Sequence, residues 1–232
     1  MFQAKAKHTN RRSFPLKKKT KPRFILAIAV LTSFLLWTAA VSFVDVQAIG
    51  PNGSTVGLAT INHFFHHLTG VHMSLYTITD WLSLIPLGFI LGFALLGLIQ
   101  WFRRKSLFQV DYSILILGGF YLVVMAAYLF FENFVVNYRP ILIEGILEAS
   151  YPSSTTMLVL CVIPTAMMQL SVRIQNRTLR RPIRFAMTVF LLFMVLGRLI
   201  SGVHWLTDII GGVLLSIGLV LLYDSFCRLK QP

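Results

Sequence analysis

Six apolar runs of about 20 residues each constrain this chain more than any other feature. A run of that length forms an α-helix able to cross the roughly 30 Å hydrocarbon core of a bilayer. The pattern predicts spans over residues 24–44, 81–102, 112–131, 153–172, 185–200 and 205–222. A shorter segment, residues 56–68, places Val56, Ile61, Phe64, Phe65 and Leu68 as an apolar face and is expected to lie as an amphipathic helix in the interface. The expected fold class is all-α: a polytopic membrane protein with a six-transmembrane-helix bundle, one domain over residues 24–227. Only 12% of residues are charged, where a soluble domain carries about 25%. Residues 1–23 hold nine Lys or Arg and are expected to be a disordered basic tail on the cytoplasmic side.

The net charge of +13 does not point to nucleic acid. It sits in short blocks between apolar runs, which is the pattern of cytoplasmic loops facing anionic lipid headgroups. Cys161 and Cys227 fall on different runs and are expected to be free thiols. His63 and His67 stand four apart, but no carboxylate flanks them, so they are read as water-facing histidines and no metal is expected. Gly88, Gly92 and Gly97, and the pair Gly211-Gly212, suggest close helix packing.

Charge also sets the orientation. With the N-terminus inside, the blocks at 1–23, 103–105, 173–184 and 228–230 all fall on the cytoplasmic side. They account for 19 of the 21 Lys and Arg. The two left over, Arg139 and Arg198, lie at the opposite ends of helices, where topology gives no reason for them. Charge at membrane depth is costly and marks function.

Three segments converge on that outer side. The first ends in Arg139-Pro140. The second, Tyr151-Pro152-Ser153-Ser154-Thr155-Thr156, has the form of a helix start with a hydroxyl as N-cap. Its free N–H groups and positive dipole end suit a phosphate. The third, residues 197–208, carries Arg198, His204 and Asp208. His204 and Asp208 are four apart, so on a helix they share a face and touch. Two arginines supply planar bidentate donors for an anion. A carboxylate-oriented histidine supplies a nucleophile or base. Together they specify phosphoryl transfer at a membrane surface better than acyl transfer. Glu144 and Glu148, also four apart, are expected on a solvated loop-helix face.

These residues resemble the type-2 phosphatidic acid phosphatase (PAP2) superfamily of membrane lipid phosphatases. Its pattern is Lys-x6-Arg-Pro, then Pro-Ser-x-His, then Ser-Arg-x5-His-x3-Asp. Arg139-Pro140 matches the first part, Pro152-Ser153 the second, and Arg198, His204 and Asp208 the third, with Gly197 in the serine place. The resemblance covers residues 81–224 well and implies the PAP2/chloroperoxidase fold. It also implies that His204 forms a phosphohistidine, Asp208 orients it, and Arg139, Arg198, Ser153, Ser154 and Thr155 bind phosphate, with no cofactor or metal. The implied partners are a lipid phosphate or diphosphate substrate and membrane lipids. Phosphatidic acid, phosphatidylglycerol phosphate and polyprenyl diphosphate are the candidate substrates. The basic tail and single compact bundle suggest a bacterial plasma membrane, and the charge count puts both termini on the cytoplasmic side and the site on the extracytoplasmic side.

Two positions depart from the pattern. Glu132 stands seven residues before Arg139, in place of the lysine, and Thr155 stands in place of the second histidine. A carboxylate repels phosphate unless it is paired or protonated. A threonine hydroxyl is a poor general acid near neutral pH. Glu132, Glu144, Glu148 and the histidines at 63–67 are the alternative acids. A diphosphate substrate, with a better leaving group, needs less protonation. Hydrolysis is the first expectation. A related phosphotransferase and a catalytically impaired binding or transport protein are the alternatives.

Overall fold

A computed structural model describes residues 20–229; the tail expected before Thr20, and Lys230, lie outside the described residues. The described chain forms α1 (Thr20–Phe43), α2 (Ala59–Thr69), α3 (Met73–Leu82), α4 (Leu84–Arg104), α5 (Tyr112–Asn133), α6 (Ser154–Arg173), α7 (Arg177–Ile200) and α8 (Leu206–Leu229). Six stretches are long and apolar enough to cross a membrane: α1, α3 with α4, α5, α6, α7 and α8. The chain is an all-helical integral membrane protein.

The helices run past the predicted limits wherever charge had been read as a stop. α7 begins at Arg177, eight residues before the expected start, because Asn176 caps it by accepting the Thr178 N–H at 2.9 Å. Its basic residues extend the helix beyond its apolar stretch. α8 continues to Leu229 because Asp224 and Arg228, one turn apart, pair on its surface at 2.9 Å. The second span starts at Met73, not Trp81. It breaks into α3 and α4 around Ser83, four residues after Thr79 and three before Pro86. Pro86 has no N–H to give the Leu82 carbonyl, and its ring crowds that carbonyl.

α6 and α8 form the centre. Each buries 56% of its most apolar window, against 11% for α3–α4. α1 packs along α8, while α6 packs against both α7 and α8. Met157, Val159, Ile163 and Ala166 from α6 meet Leu215, Leu219 and Tyr223 from α8 in the core. The Tyr151 ring lies over Gly211, where an added Cβ would come within 2.6 Å of it. Gly88 and Gly92, by contrast, have open space around them. They do not mediate close packing; their faces of α4 turn outward.

Cys161 and Cys227 are free thiols. One end of the bundle collects the basic residues of α4, α6, α7 and α8, held by acids: Arg104 and Arg173 on Asp111 at 3.1 and 3.7 Å, and Arg23 on Asp224. The other end carries the two arginines that topology does not explain.

α2 packs against α8 at that second end. Its buried Asn62 donates to the Gly57 carbonyl at 2.8 Å and to the Thr207 hydroxyl at 2.9 Å, and accepts from the Thr207 N–H at 3.2 Å. α2 thus supplies a cap for the start of α8 from a distant part of the chain. Ile61, Phe64 and Leu68 remain exposed on the outer face of α2.

Candidate active site

Four segments meet at this end: the 134–153 connection, the start of α6, the end of α7 and the turn into α8. The connection is not helical. Isolated antiparallel bridges pair Tyr138 with Ala149 and Ile143 with Ile146. Glu144 and Glu148 therefore do not share a helix face as expected. Glu144 sits in a turn at φ +51, and Glu148 turns back onto Arg139. Asn137, fully buried, anchors the connection: its carbonyl accepts the Ser150 N–H at 2.9 Å, and its side-chain amide reaches Asp208 Oδ1 at 3.3 Å.

His204 is buried in the turn before α8, so the expected helical i, i+4 contact with Asp208 is absent. His204 Nδ1 stands 3.9 Å from Asp208 Oδ2, too far for a hydrogen bond. Ser150 Oγ lies between them, 3.0 Å from Nδ1 and 2.5 Å from Oδ2. Asp208 is also held by the Trp205 N–H at 2.9 Å. On the other side of the ring, Nε2 faces Arg139 Nη1 at 3.3 Å. Burial first, then the positive charges of Arg139 and Arg198, hold the His204 pKa well below the ordinary histidine value. The imidazole is therefore neutral at neutral pH, as a nucleophile must be.

The two arginines are placed alike. Arg139 is 7% exposed and Arg198 is 2% exposed. Each is paired with one carboxylate on its wetter side. Glu148 Oε2 is 2.9 Å from Arg139 Nε, an ion pair without the alignment of a hydrogen bond. Asp80 Oδ1 on α3 is 3.3 Å from Arg198 Nη2. The same Nη2 donates to Thr155 Oγ1 at 2.6 Å, and the guanidinium lies 4.7 Å from the Tyr76 ring centroid.

At the start of α6, Ser153 is the N-cap residue but, against expectation, makes no capping bond with its side chain. Its N–H instead donates to the Asp208 carbonyl at 3.1 Å. The first bond of the α6 ladder is Met157 N–H to the Ser153 carbonyl. The N–H groups of Ser154, Thr155 and Thr156 thus precede the ladder, as at any helix start. Among the described residues, five buried side-chain polar atoms have no hydrogen-bond partner, and four belong here: Arg139 Nε, Arg198 Nε, Ser153 Oγ and Thr156 Oγ1. Native structures leave few buried polar atoms unpaired, so a cluster of them marks a place for a ligand.

Thr155 and Ser154 also line a cavity of about 290 Å³ between α4, α5 and α6, walled by Leu87, Val124, Met125 and Leu158. Glu132 lines a small recess of about 20 Å³ together with Ser150 and Ser154, while the carboxylates paired with the two arginines are Glu148 and Asp80. Among the alternative acids, Glu148 is committed to Arg139, and the His66 ring faces the Gly202 carbonyl at 3.1 Å. His63 and His67 stack on each other with ring centroids 6.5 Å apart.

The site thus gathers the residues expected from the sequence, with Glu132 at its edge in the recess shared with Ser150 and Ser154. It adds four that sequence reading passed over: Ser150, Asn137, Asp80 and Asn62. Asp80 carried the clearest signal, a lone carboxylate beside an apolar run. The three others are uncharged, so the count of charges does not single them out.

The chain is similar to the crystal structure described as the first transmembrane PAP2-type phosphatidylglycerolphosphate phosphatase from Bacillus subtilis, with a TM-score of 0.58 and 19% identity over 88% of this chain and 97% of that one. That likeness shows the fold. No curated protein matches the chain. The sequence model of the PAP2 superfamily matches residues 115–228, from early α5 to near the end of α8.

Proposed function

We propose that this protein is a membrane lipid phosphatase that hydrolyses a lipid phosphate or diphosphate through a phosphoenzyme on His204. The observation that carries this reading is the cluster of unpaired buried donors on Arg139, Arg198, Ser153 and Thr156, together with a neutral imidazole whose Nε2 faces one of those arginines. Phosphate oxygens satisfy the donors, the arginines and the α6 N-terminus balance the charge of the transition state, and Nε2 attacks phosphorus. The bond from the attacked phosphorus to its leaving oxygen breaks (the lipid alcohol oxygen of a monoester, the bridging oxygen of a diphosphate, which departs as the lipid monophosphate), and water then releases phosphate from the histidine. Asp208 acts through Ser150 rather than by direct contact. The apolar cavity beside Thr155 receives the lipid chain as it comes from the bilayer between helices. The positive-inside count places the site on the extracytoplasmic side.

Phosphatidylglycerol phosphate, the substrate named for the Bacillus subtilis protein, belongs to this class, as do phosphatidic acid and polyprenyl diphosphate. A diphosphate is favoured by one observation: Thr155 stands where the pattern has its second histidine, and a threonine hydroxyl is too weakly acidic near neutral pH to protonate a poor leaving group. Phosphate release by the purified protein over these three lipids, beside a His204→Ala variant, tests the reading. Equal release by both proteins removes His204 as the nucleophile. Acceptor-dependent turnover indicates a phosphotransferase, and binding without release indicates a lipid-phosphate carrier.

A further inference from the structure

The deepest polar contact of the site is one that the motif does not contain. We propose that Ser150 is a positioning residue that couples Asp208 to His204, its hydroxyl standing where a direct carboxylate–imidazole bond would otherwise be. This rests on the reading of His204 as the reacting group.

The geometry has one consistent assignment of protons. The Ser150 hydroxyl has a single proton, and its 2.5 Å separation from Asp208 Oδ2 is the length of a bond donated to an ionised carboxylate. The other donors around that carboxylate, the Trp205 N–H at 2.9 Å and the Asn137 amide at 3.3 Å, agree with ionisation. With its proton given to Asp208, Ser150 Oγ is an acceptor towards His204 Nδ1 at 3.0 Å. Nδ1 therefore carries the ring proton and Nε2 carries the lone pair. The opposite side of the ring requires the same tautomer independently. Arg139 Nη1, 3.3 Å from Nε2, is always a donor and needs an acceptor there.

The direct separation of 3.9 Å between Nδ1 and Oδ2 leaves the pair weakly coupled without the hydroxyl. As positive charge develops on the ring during attack, the Nδ1–H bond to Ser150 strengthens, and Ser150 in turn leans on Asp208. No proton has to leave the ring. Ser150 is placed for this by its chain neighbours: its N–H bonds to the Asn137 carbonyl at 2.9 Å, and Tyr151 is locked over Gly211. Ser150 and Asp208 are both buried, at 3% and 0% exposure, so water does not substitute for the hydroxyl.

The test uses the full chain in detergent, with two readouts. The first is the Nδ1 proton of His204, followed by NMR on protein labelled in histidine and assigned with His204→Gln. A strongly hydrogen-bonded, downfield signal is expected in the wild type and in Ser150→Thr. It is expected to move upfield in both Ser150→Ala and Asp208→Asn. The second is phosphate release from phosphatidic acid. Ser150→Ala is expected to lower kcat by about 10- to 100-fold with KM unchanged, the range for residues that orient a reacting ligand. Ser150→Thr restores activity, and Ser150→Ala combined with Asp208→Asn is no worse than the weaker of the two single variants. If the alanine variant does not fold, Ser150→Cys, which keeps the size with a weak donor, takes its place. A His204 signal that Ser150→Ala leaves in place while Asp208→Asn shifts it overturns the proposal, as do effects of the two variants that multiply. A protein that releases no phosphate yet shows the serine-dependent signal refutes the phosphatase reading and supports the role of Ser150.

Discussion

The two sides of the site are built differently. Around His204 every group is buried and tied: Ser150, Asp208, Asn137 and the Trp205 N–H form one closed network. Around Thr155 the structure opens. The threonine hydroxyl holds Arg198, the carboxylate of Asp80 reaches the same guanidinium from a half-exposed position, and an apolar cavity of about 290 Å³ begins beside them. In the proposed mechanism the closed side attacks and depends on bond geometry, while the open side, where the lipid would depart, depends on space and charge balance. A nucleophile must be aimed within tenths of an ångström, whereas a leaving lipid needs space and, at most, one proton.

This contrast predicts that substitutions on the closed side cost more than those on the open side. The largest effect belongs to His204→Gln. Phosphate release is expected to fall about 10⁴-fold or more, to background, and no acid-labile phosphoenzyme should form from radiolabelled substrate. Retention of a phosphoenzyme would move the nucleophile elsewhere and dissolve the contrast. Arg139→Gln, on the same side, is expected to lower kcat by about 100- to 1,000-fold, as for loss of a donor to a developing negative charge.

The pH dependence follows from the lowered pKa of His204, caused by burial first and by Arg139 and Arg198 second. The neutral imidazole is the reactive form. A lowered pKa keeps it neutral as pH falls through 6.5, so the acid limb of kcat/KM lies below that value. Arg139→Gln removes one of the charges disfavouring the imidazolium and should move the residual activity's limb upward, by about one pH unit. A limb that stays in place, or moves down, removes the arginine from contact with the ring.

On the open side the effects are smaller and go upward. Thr155→His places an imidazole where the superfamily pattern has one, with the adjoining cavity to receive it. It is expected to raise turnover of a monoester such as phosphatidic acid by about tenfold and to leave a diphosphate substrate nearly unchanged, since proton donation helps a poor leaving group most. Equal gains on both would mean that the position acts through Arg198 rather than through protonation. The smallest effect is that of Asp80→Asn. Freed from a half-exposed carboxylate, Arg198 should bind inorganic phosphate about two- to fivefold more tightly, in line with the modest energies of such pairs, measured as product inhibition. A loss of phosphate affinity would show that Asp80 positions the arginine instead of competing for it.

The closed side was also the less legible of the two in sequence. Arg198, His204 and Asp208 stood out because charge is rare among apolar spans, and their spacing resembled a known pattern. The same spacing suggested a direct histidine–aspartate contact, which failed because His204 precedes α8. Ser150 and Asn137 read as polar residues of the connection, but, uncharged, they carry nothing in the sequence that assigns them to the site. The helices also extend past the apolar stretches, from Arg177 and to Leu229, for a related reason: charge ends the apolar stretch, but a capped or ion-paired helix continues past it.

The sequence by itself determined the number of spans, the class of fold and the separation of two arginines from the basic blocks, because burial of long apolar runs and the cost of charge in a bilayer act on single segments. The tertiary structure alone decided which carboxylates face which arginines, where Glu132 stands and what lies between His204 and Asp208. Most of those contacts join residues dozens to more than a hundred positions apart, and even Glu148, nine residues from Arg139, meets it only because the connection folds back on itself; such hydrogen-bond geometry is set only when the helices pack.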